Sequence, residues 1–117
     1  LIQFGAPVVA ALFYGGWATY CNWPHDMAVA LTAGIIQGGF AFTSTLLLTS
    51  LVLFLLKREN ANFIGVFAQS SFALISIPAL LHLFAGTPNI FSAMLPGLII
   101  GHSYLWGLIK KLSSHTL

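Results

Sequence analysis

Apolar residues run along the chain in four long stretches that are separated by short polar segments. The stretches cover residues 4–21, 27–56, 62–84 and 90–109. About 20 helical residues cross a bilayer core about 30 Å thick, so each stretch is long enough to span it. Transmembrane strands would alternate apolar and polar positions over about 10 residues, whereas these runs are continuous. The pattern predicts an all-α polytopic membrane protein, an antiparallel four-helix transmembrane bundle with one transmembrane domain over residues 1–117.

The polar segments consist of residues that favour turns and helix caps. They occupy residues 22–26 (NWPHD), 57–60 (KREN) and 86–89 (GTPN), and Asp26 and Asn89 are placed to cap the helices that follow them. Because the connections are short, we expect consecutive helices to be antiparallel neighbours. The second stretch exceeds one crossing by about ten residues, so we expect it to tilt or to extend into the cytoplasm.

Composition narrows the class of protein. The chain is 58% hydrophobic and 5% charged, against about 25% charged residues in an ordinary soluble domain. Too few polar groups remain to cover a water-facing surface, and intrinsic disorder requires the opposite composition. A single cysteine, Cys21, excludes an internal disulfide. The net charge of +2 comes from four cations and two acids, which predicts no nucleic-acid partner.

The cations predict the orientation of the bundle. With four spans, the chain ends and the second connection lie on one side of the membrane, and the other two connections lie opposite. All the Lys and Arg residues fall on the first side: Lys57, Arg58, Lys110 and Lys111. The positive-inside rule then predicts a multi-pass protein of the bacterial inner membrane with both termini in the cytoplasm.

A weak internal repeat is visible at an offset of 64 residues. Pro24 falls on Pro88, and Phe40 falls on Tyr104. Two tandem two-helix repeats would be related by an axis along the membrane normal, as in some small transporters. The alternative is chance alignment of two helices rich in Leu, Ile and Gly, and the sequence leaves both open.

Small residues predict close helix contacts. Gly34 with Gly38, and Gly97 with Gly101, have the small-xxx-small spacing that lets helix backbones approach closely in lipid. Packing within the bundle is the favoured interpretation, and a homodimer interface is the alternative.

Two prolines lie inside the last two stretches. Pro78 and Pro96 each remove a backbone hydrogen bond, so we expect helix kinks there. Opposed kinks would open a cavity between the two helices, whereas tolerated bends would not.

Polar side chains inside the hydrocarbon region are the main candidate site. Gln37 lies about ten residues into the second stretch, and His102 about twelve residues into the fourth. Both are near the midplane, so we expect them to hydrogen-bond each other. The pair is interpreted either as a polar clasp that holds the bundle together or as a substrate or proton site.

The chain offers little for catalysis or cofactor binding. The two carboxylates, Asp26 and Glu59, are predicted at opposite membrane faces and so cannot work as a pair. His25, Asp26 and His82 could converge at the outer surface as metal ligands. They lack a tight ligand spacing, so we predict no metal and no cofactor.

Residues 10–45, with FYGGW at 13–17 and QGGF at 37–40, resemble small uncharacterised inner-membrane proteins of Gram-negative bacteria. The four-span, two-repeat layout is also similar to the GtrA family, which is implicated in moving polyprenyl-linked sugars across bacterial membranes. That family typically has an Asn-Phe pair followed by Arg and aromatic residues in its second and fourth helices. QGGF at 37–40 and GHSY at 101–104 stand there in this chain.

Two functions are compatible with the sequence. The first is a small translocator for an apolar or lipid-linked substrate, for which a dimer would enlarge the enclosed path. The second is a non-catalytic accessory or assembly subunit that packs against a larger membrane-protein partner. A cavity that reaches Gln37 and His102 favours the first, and a solid core with an outward small-residue face favours the second.

Overall fold

The computed structural model describes residues 4–116 and is helical with no strand over that range. The helices are α1 (Gly5–Asn22), α2 (Met27–Leu56), α3 (Phe63–Ala85), α4 (Ile90–Pro96) and α5 (His102–Thr116). A π-helical segment, Gly97–Gly101, joins α4 to α5. The all-α prediction is confirmed, and the last helix is interrupted by the π turn.

Three helices are long and apolar enough to cross a membrane within the described residues. They are Met27–Leu56, Phe63–Ala85 and Ile90–Ser114, the last of which includes the π segment. α1 is not among them, because it combines 18 residues with polar and small positions such as Gly15, Gly16 and Asn22. The described residues therefore contain three candidate membrane spans, which indicate a membrane protein.

The helices run antiparallel to their neighbours. Gly15 of α1 lies against Gly34 and Gly38 of α2, while the earlier Ala11 lies against Gly38. We call the end that carries residues 23–26 and 86–89 the upper end. The lower end carries residues 57–62. α1 packs most extensively against α2, and α2 also contacts α3, α4 and α5.

Local sequence sets where the helices begin and end. Asp26 caps α2, since its carboxylate accepts from Ala28 N at 3.2 Å. Asn62 caps α3 in the same way, accepting from Gly65 N at 2.8 Å. Gly86 ends α3 in the left-handed conformation, with φ of 74°, which a residue without Cβ adopts readily. Asn89 makes no side-chain cap on α4, contrary to prediction.

Two packing regions divide the bundle. The lower core consists of large aliphatic side chains from α2, α3 and α5: Leu48, Val52, Leu55, Leu56, Val66, Leu105 and Ile109. The upper core consists of small residues, with Ala18, Ala33 and Ala93 buried together between α1, α2 and α4. α1 therefore belongs to the upper core only.

The two halves of the predicted repeat differ in detail. α2 is one unbroken helix of 30 residues, whereas its counterpart is divided by the π segment. Glycine contacts join α1 to α2, and no such contact joins α3 to α4.

Candidate functional site

A cavity of about 280 Å³ lies between all the helices of the bundle and is partly open to the surface. Its volume is near the lower limit of about 300 Å³ for small-molecule sites. Most of the lining is apolar, and no charged side chain contributes to it. The lining residues are Ala6, Ala10, Tyr14, Gln37, Phe40, Ala41, Ser44, Thr45, Leu48, Leu74, Pro78, Met94, Gly97, Leu98, Ile100, Gly101 and Tyr104.

A buried polar network closes the upper end of this cavity. His82 Nε2 lies 2.8 Å from Gln37 Oε1, and His82 Nδ1 lies 2.9 Å from Thr87 Oγ1. The exposed fractions are 4% for Gln37, 0% for His82 and 6% for Thr87. Because an amide oxygen only accepts, His82 Nε2 is the donor in the first bond, and in the neutral ring Nδ1 accepts from Thr87. Every nitrogen of the buried imidazole is therefore satisfied.

The end of α3 places Thr87 over the imidazole. With Gly86 in the left-handed conformation, Thr87 N donates to His82 O at 3.0 Å and the chain folds back over the last turn. This backbone bond brings the Thr87 hydroxyl to the ring nitrogen. The Gly-Thr pair of this connection thus has a structural role in the site.

The expected hydrogen bond between Gln37 and His102 is wrong. His102 instead pairs with Ser71 Oγ through Nε2 at 2.7 Å, and its Nδ1 donates to Leu98 O at 2.9 Å. The π segment immediately precedes His102, and the imidazole faces Ser71 of α3 and not α2. Equal depth in two helices did not imply facing side chains.

The His102 contact forms a second, separate clasp between α3 and α5. Phe67 lies edge-on to the imidazole, with ring centroids 6.0 Å apart, and Trp106 packs against Phe67 at 5.4 Å. His102 and Ser71 do not line the cavity. The Ser71–His102 pair therefore joins α3 to α5. Of the two residues predicted to form the site, Gln37 lines the cavity and His102 does not.

The two glycine pairs have different environments. A Cβ on Gly38 would lie 2.9 Å from Ala11 O, and one on Gly34 would overlap the Thr19 side chain. Both therefore pack within the chain against α1. A Cβ on Gly101 meets nothing within 4 Å, and one on Gly97 meets only Gln37 Nε2 at 3.6 Å. The second pair forms no close backbone contact: Gly97 and Gly101 are the first and last residues of the π segment, and both line the cavity.

The two prolines also differ. α3 is continuous through the buried Pro78, so no interruption marks the kink expected there. Pro96 immediately precedes the π segment, which makes the helix irregular at this point, and the expected kink stays a prediction. Since Pro96 has no N–H to donate, Ser92 O lacks its α-helical donor and accepts from Trp17 Nε1 of α1 at 2.8 Å. Pro78 lines the cavity, and Pro96 immediately precedes Gly97, which also lines it.

The proposed metal ligands do not come together. Within the described residues, no group of three His, Cys, Asp or Glu side chains could hold a metal ion. His82 is buried in the network above, and Asp26 caps α2. His25 Nε2 lies 3.1 Å from Asn89 Nδ2. Each of the three predicted ligands is therefore hydrogen-bonded to a different partner, which their positions in the sequence did not indicate.

Hydrogen bonds that the sequence pattern did not indicate join the end of α1 to the connection between α3 and α4. Asn89 N donates to Asn22 Oδ1 at 2.8 Å, and Asn89 Nδ2 donates to Cys21 O at 2.9 Å. Asn22 is fully buried. Both residues had been assigned to turns, although an Asn on the last turn of an apolar helix was itself a signal for a buried partner.

Comparison with protein-family models, curated proteins and solved structures finds no match to this chain.

Proposed function

We propose that the protein is a small membrane translocator whose cavity takes up the chain of an apolar or lipid-linked substrate. The observation that carries this proposal is the apolar cavity lined by every helix of the bundle, with buried Gln37 at its upper end. Residues from Gln37 to Leu48 line it along α2, a rise of about 16 Å. An extended chain lying along this groove would run parallel to the lipid chains.

The alternative, an accessory or assembly subunit, has less support. It requires a small-residue face that is free to pack against a partner. Gly34 and Gly38 are instead covered by α1. The exposed glycines, such as Gly16, Gly39 and Gly107, include no two at four-residue spacing.

In this proposal α1 is a fourth span, so that the upper end faces away from the cytoplasm. Its support is the antiparallel contact of α1 with α2 and the position of Lys57 and Arg58 at the lower end. Both termini would be cytoplasmic and the membrane the bacterial inner one. In a variant that combines Cys21→Ser with Asn60→Cys, modification by an impermeant thiol reagent outside intact cells would contradict this orientation.

A vesicle assay tests the function. The purified protein is reconstituted with a fluorescent phosphatidylcholine or a fluorescent polyprenyl phosphate, and an impermeant quencher reports the rate of exchange between leaflets. Gly101→Leu extends a side chain into the cavity, where a Cβ meets nothing within 4 Å. The leucine side chain would occupy part of the space that the substrate chain needs. We expect a rate lower by about tenfold, which corresponds to about 1.4 kcal/mol of added barrier.

Gly107→Leu is the matched control. A Cβ there also meets nothing within 4 Å, but Gly107 does not line the cavity. Both variants gain the same helix propensity. Wild-type vesicles that exchange neither lipid faster than protein-free vesicles would refute the function, as would equal rates for the two variants.

A further inference from the structure

The amide nitrogen of Gln37 is a hydrogen-bond donor that faces the cavity. His82 holds the amide oxygen at 2.8 Å, so the amide nitrogen points away from His82. Gln37 is 4% exposed and lines the cavity. Among the described residues, none accepts a hydrogen bond from Gln37 Nε2. A donor buried in a bilayer without an acceptor costs free energy, so its acceptor is expected to come from a ligand.

Gly97 leaves space beside this donor. A Cβ at this position would lie 3.6 Å from Gln37 Nε2. Because glycine has no side chain, an atom of a ligand in the cavity can approach the amide. Ser44 and Thr45, which also line the cavity, use their hydroxyls on Ala41 O at 3.3 and 2.6 Å. They are therefore less available than Gln37.

The charge of the lining restricts the acceptor. Because no Lys, Arg or His lines the cavity, a phosphate or carboxylate there would be a buried anion without a counter-charge. An uncharged carbonyl oxygen accepts from an amide N–H without that cost. A charged headgroup would remain at the mouth of the cavity.

We propose that the substrate carries an uncharged carbonyl oxygen that accepts a hydrogen bond from Gln37 Nε2, with its apolar chain along the cavity. The inference rests on the proposed function, because it specifies the substrate class of the same cavity. Two lipid-soluble classes have this chemistry, namely acyl-ester glycerolipids and long-chain quinones. His82 and Thr87 act as positioning residues, since they orient the amide and do not line the cavity.

Matched ligand pairs that differ in the carbonyl test the inference. The purified protein in detergent is offered diacyl against dialkyl phosphatidylcholine, and decylbenzoquinone against decylbenzene, with retention measured by native mass spectrometry. One neutral hydrogen bond is worth about fivefold in affinity. The carbonyl member of at least one pair should therefore bind about fivefold more tightly to the wild type. The pair that responds identifies the ligand class.

Variants assign the preference to Gln37. Gln37→Leu should bind both members of the responding pair equally, whereas Gln69→Leu should keep the wild-type preference. Gln69 is an exposed glutamine that does not line the cavity. If Gln37→Leu does not fold, isotope-edited infrared spectroscopy of a ¹³C-carbonyl ligand on the wild type decides, because a hydrogen-bonded carbonyl absorbs at lower frequency.

The outcomes separate the two proposals. If neither member of either pair binds the wild type, the cavity takes up no lipid chain and the translocator proposal fails along with the inference. If both members bind equally and Gly101→Leu abolishes binding, the cavity proposal stands and the carbonyl inference is overturned. An unshifted carbonyl band on the wild type overturns it as well.

Discussion

The upper and lower regions of the bundle are packed by different means. In the upper region, backbones of α1 and α2 meet at Gly15, Gly34 and Gly38, and buried polar groups are satisfied by one another. In the lower region, branched and long aliphatic side chains of α2, α3 and α5 fill the space without α1. The cavity lies along α2 from Gln37 to Leu48, where one packing mode gives way to the other.

The difference shows what each region can tolerate. Lipid tails are as apolar as leucine, so helices in a membrane associate through close packing and hydrogen bonds rather than hydrophobic burial. Backbone contacts in the upper region have no side chain that can move aside. Aliphatic side chains in the lower region can change rotamer, and cores of that kind accept volume-conserving exchanges. We expect the upper region to be the more sensitive to added volume.

The largest effect is expected at Gly38. In Gly38→Leu the new Cβ would lie 2.9 Å from Ala11 O and 3.4 Å from Gly15 Cα, so α1 must move away from α2. We expect a loss of roughly 3 kcal/mol, measured as a lower thermal unfolding temperature in detergent. Gly39→Leu is the control, because a Cβ there meets nothing within 4 Å. Equal melting temperatures for the two variants would show that α1 does not pack on this face.

A smaller effect is expected from the polar network. Gln37→Leu and His82→Leu each remove one partner of a 2.8 Å hydrogen bond, so each should destabilise. Their double-mutant cycle should give a coupling of about 1 kcal/mol, in the range of hydrogen bonds within membranes. The same cycle for Gln37 and His102, which bond to different partners, should give a coupling within about 0.5 kcal/mol of zero. A reversed ranking of the two couplings would contradict the network.

Helix positions were predictable from the sequence because they depend on local features. The apolar run over residues 27–56 coincides with α2 (Met27–Leu56), and the cap predicted at Asp26 is formed. The spacing of Gly34 and Gly38 shows that a flat surface exists. Gly97 and Gly101 have the same spacing but make no close backbone contact. A pattern of small residues does not identify the helix, if any, that packs against it.

The pairing of polar groups was not predictable from depth alone. Helix rise placed Gln37 and His102 at similar depth. It did not say which neighbouring helix each of the two side chains faces. His102 follows a π segment and bonds to Ser71 of α3, whereas Gln37 bonds to His82. Thr87 contacts His82 because the chain folds back at Gly86. Turn residues in a sequence allow such a fold but do not specify which side chains it brings together.

The smallest predicted effects are changes in stability at two neighbouring serines of α3. The two changes have opposite signs. Ser70 is fully buried, and its Oγ has no hydrogen-bond partner among the described residues. Ser70→Ala removes an unsatisfied group and raises helix propensity, so it should stabilise by about 0.5 kcal/mol. Ser71→Ala gains the same propensity but leaves His102 Nε2 without its 2.7 Å partner, and it should destabilise by about 0.5–1 kcal/mol. Thermal unfolding of both variants in one detergent provides the measurement. A loss of stability in Ser70→Ala would show that this hydroxyl has a partner after all, and the lower region would then depend on hydrogen bonds as the upper one does.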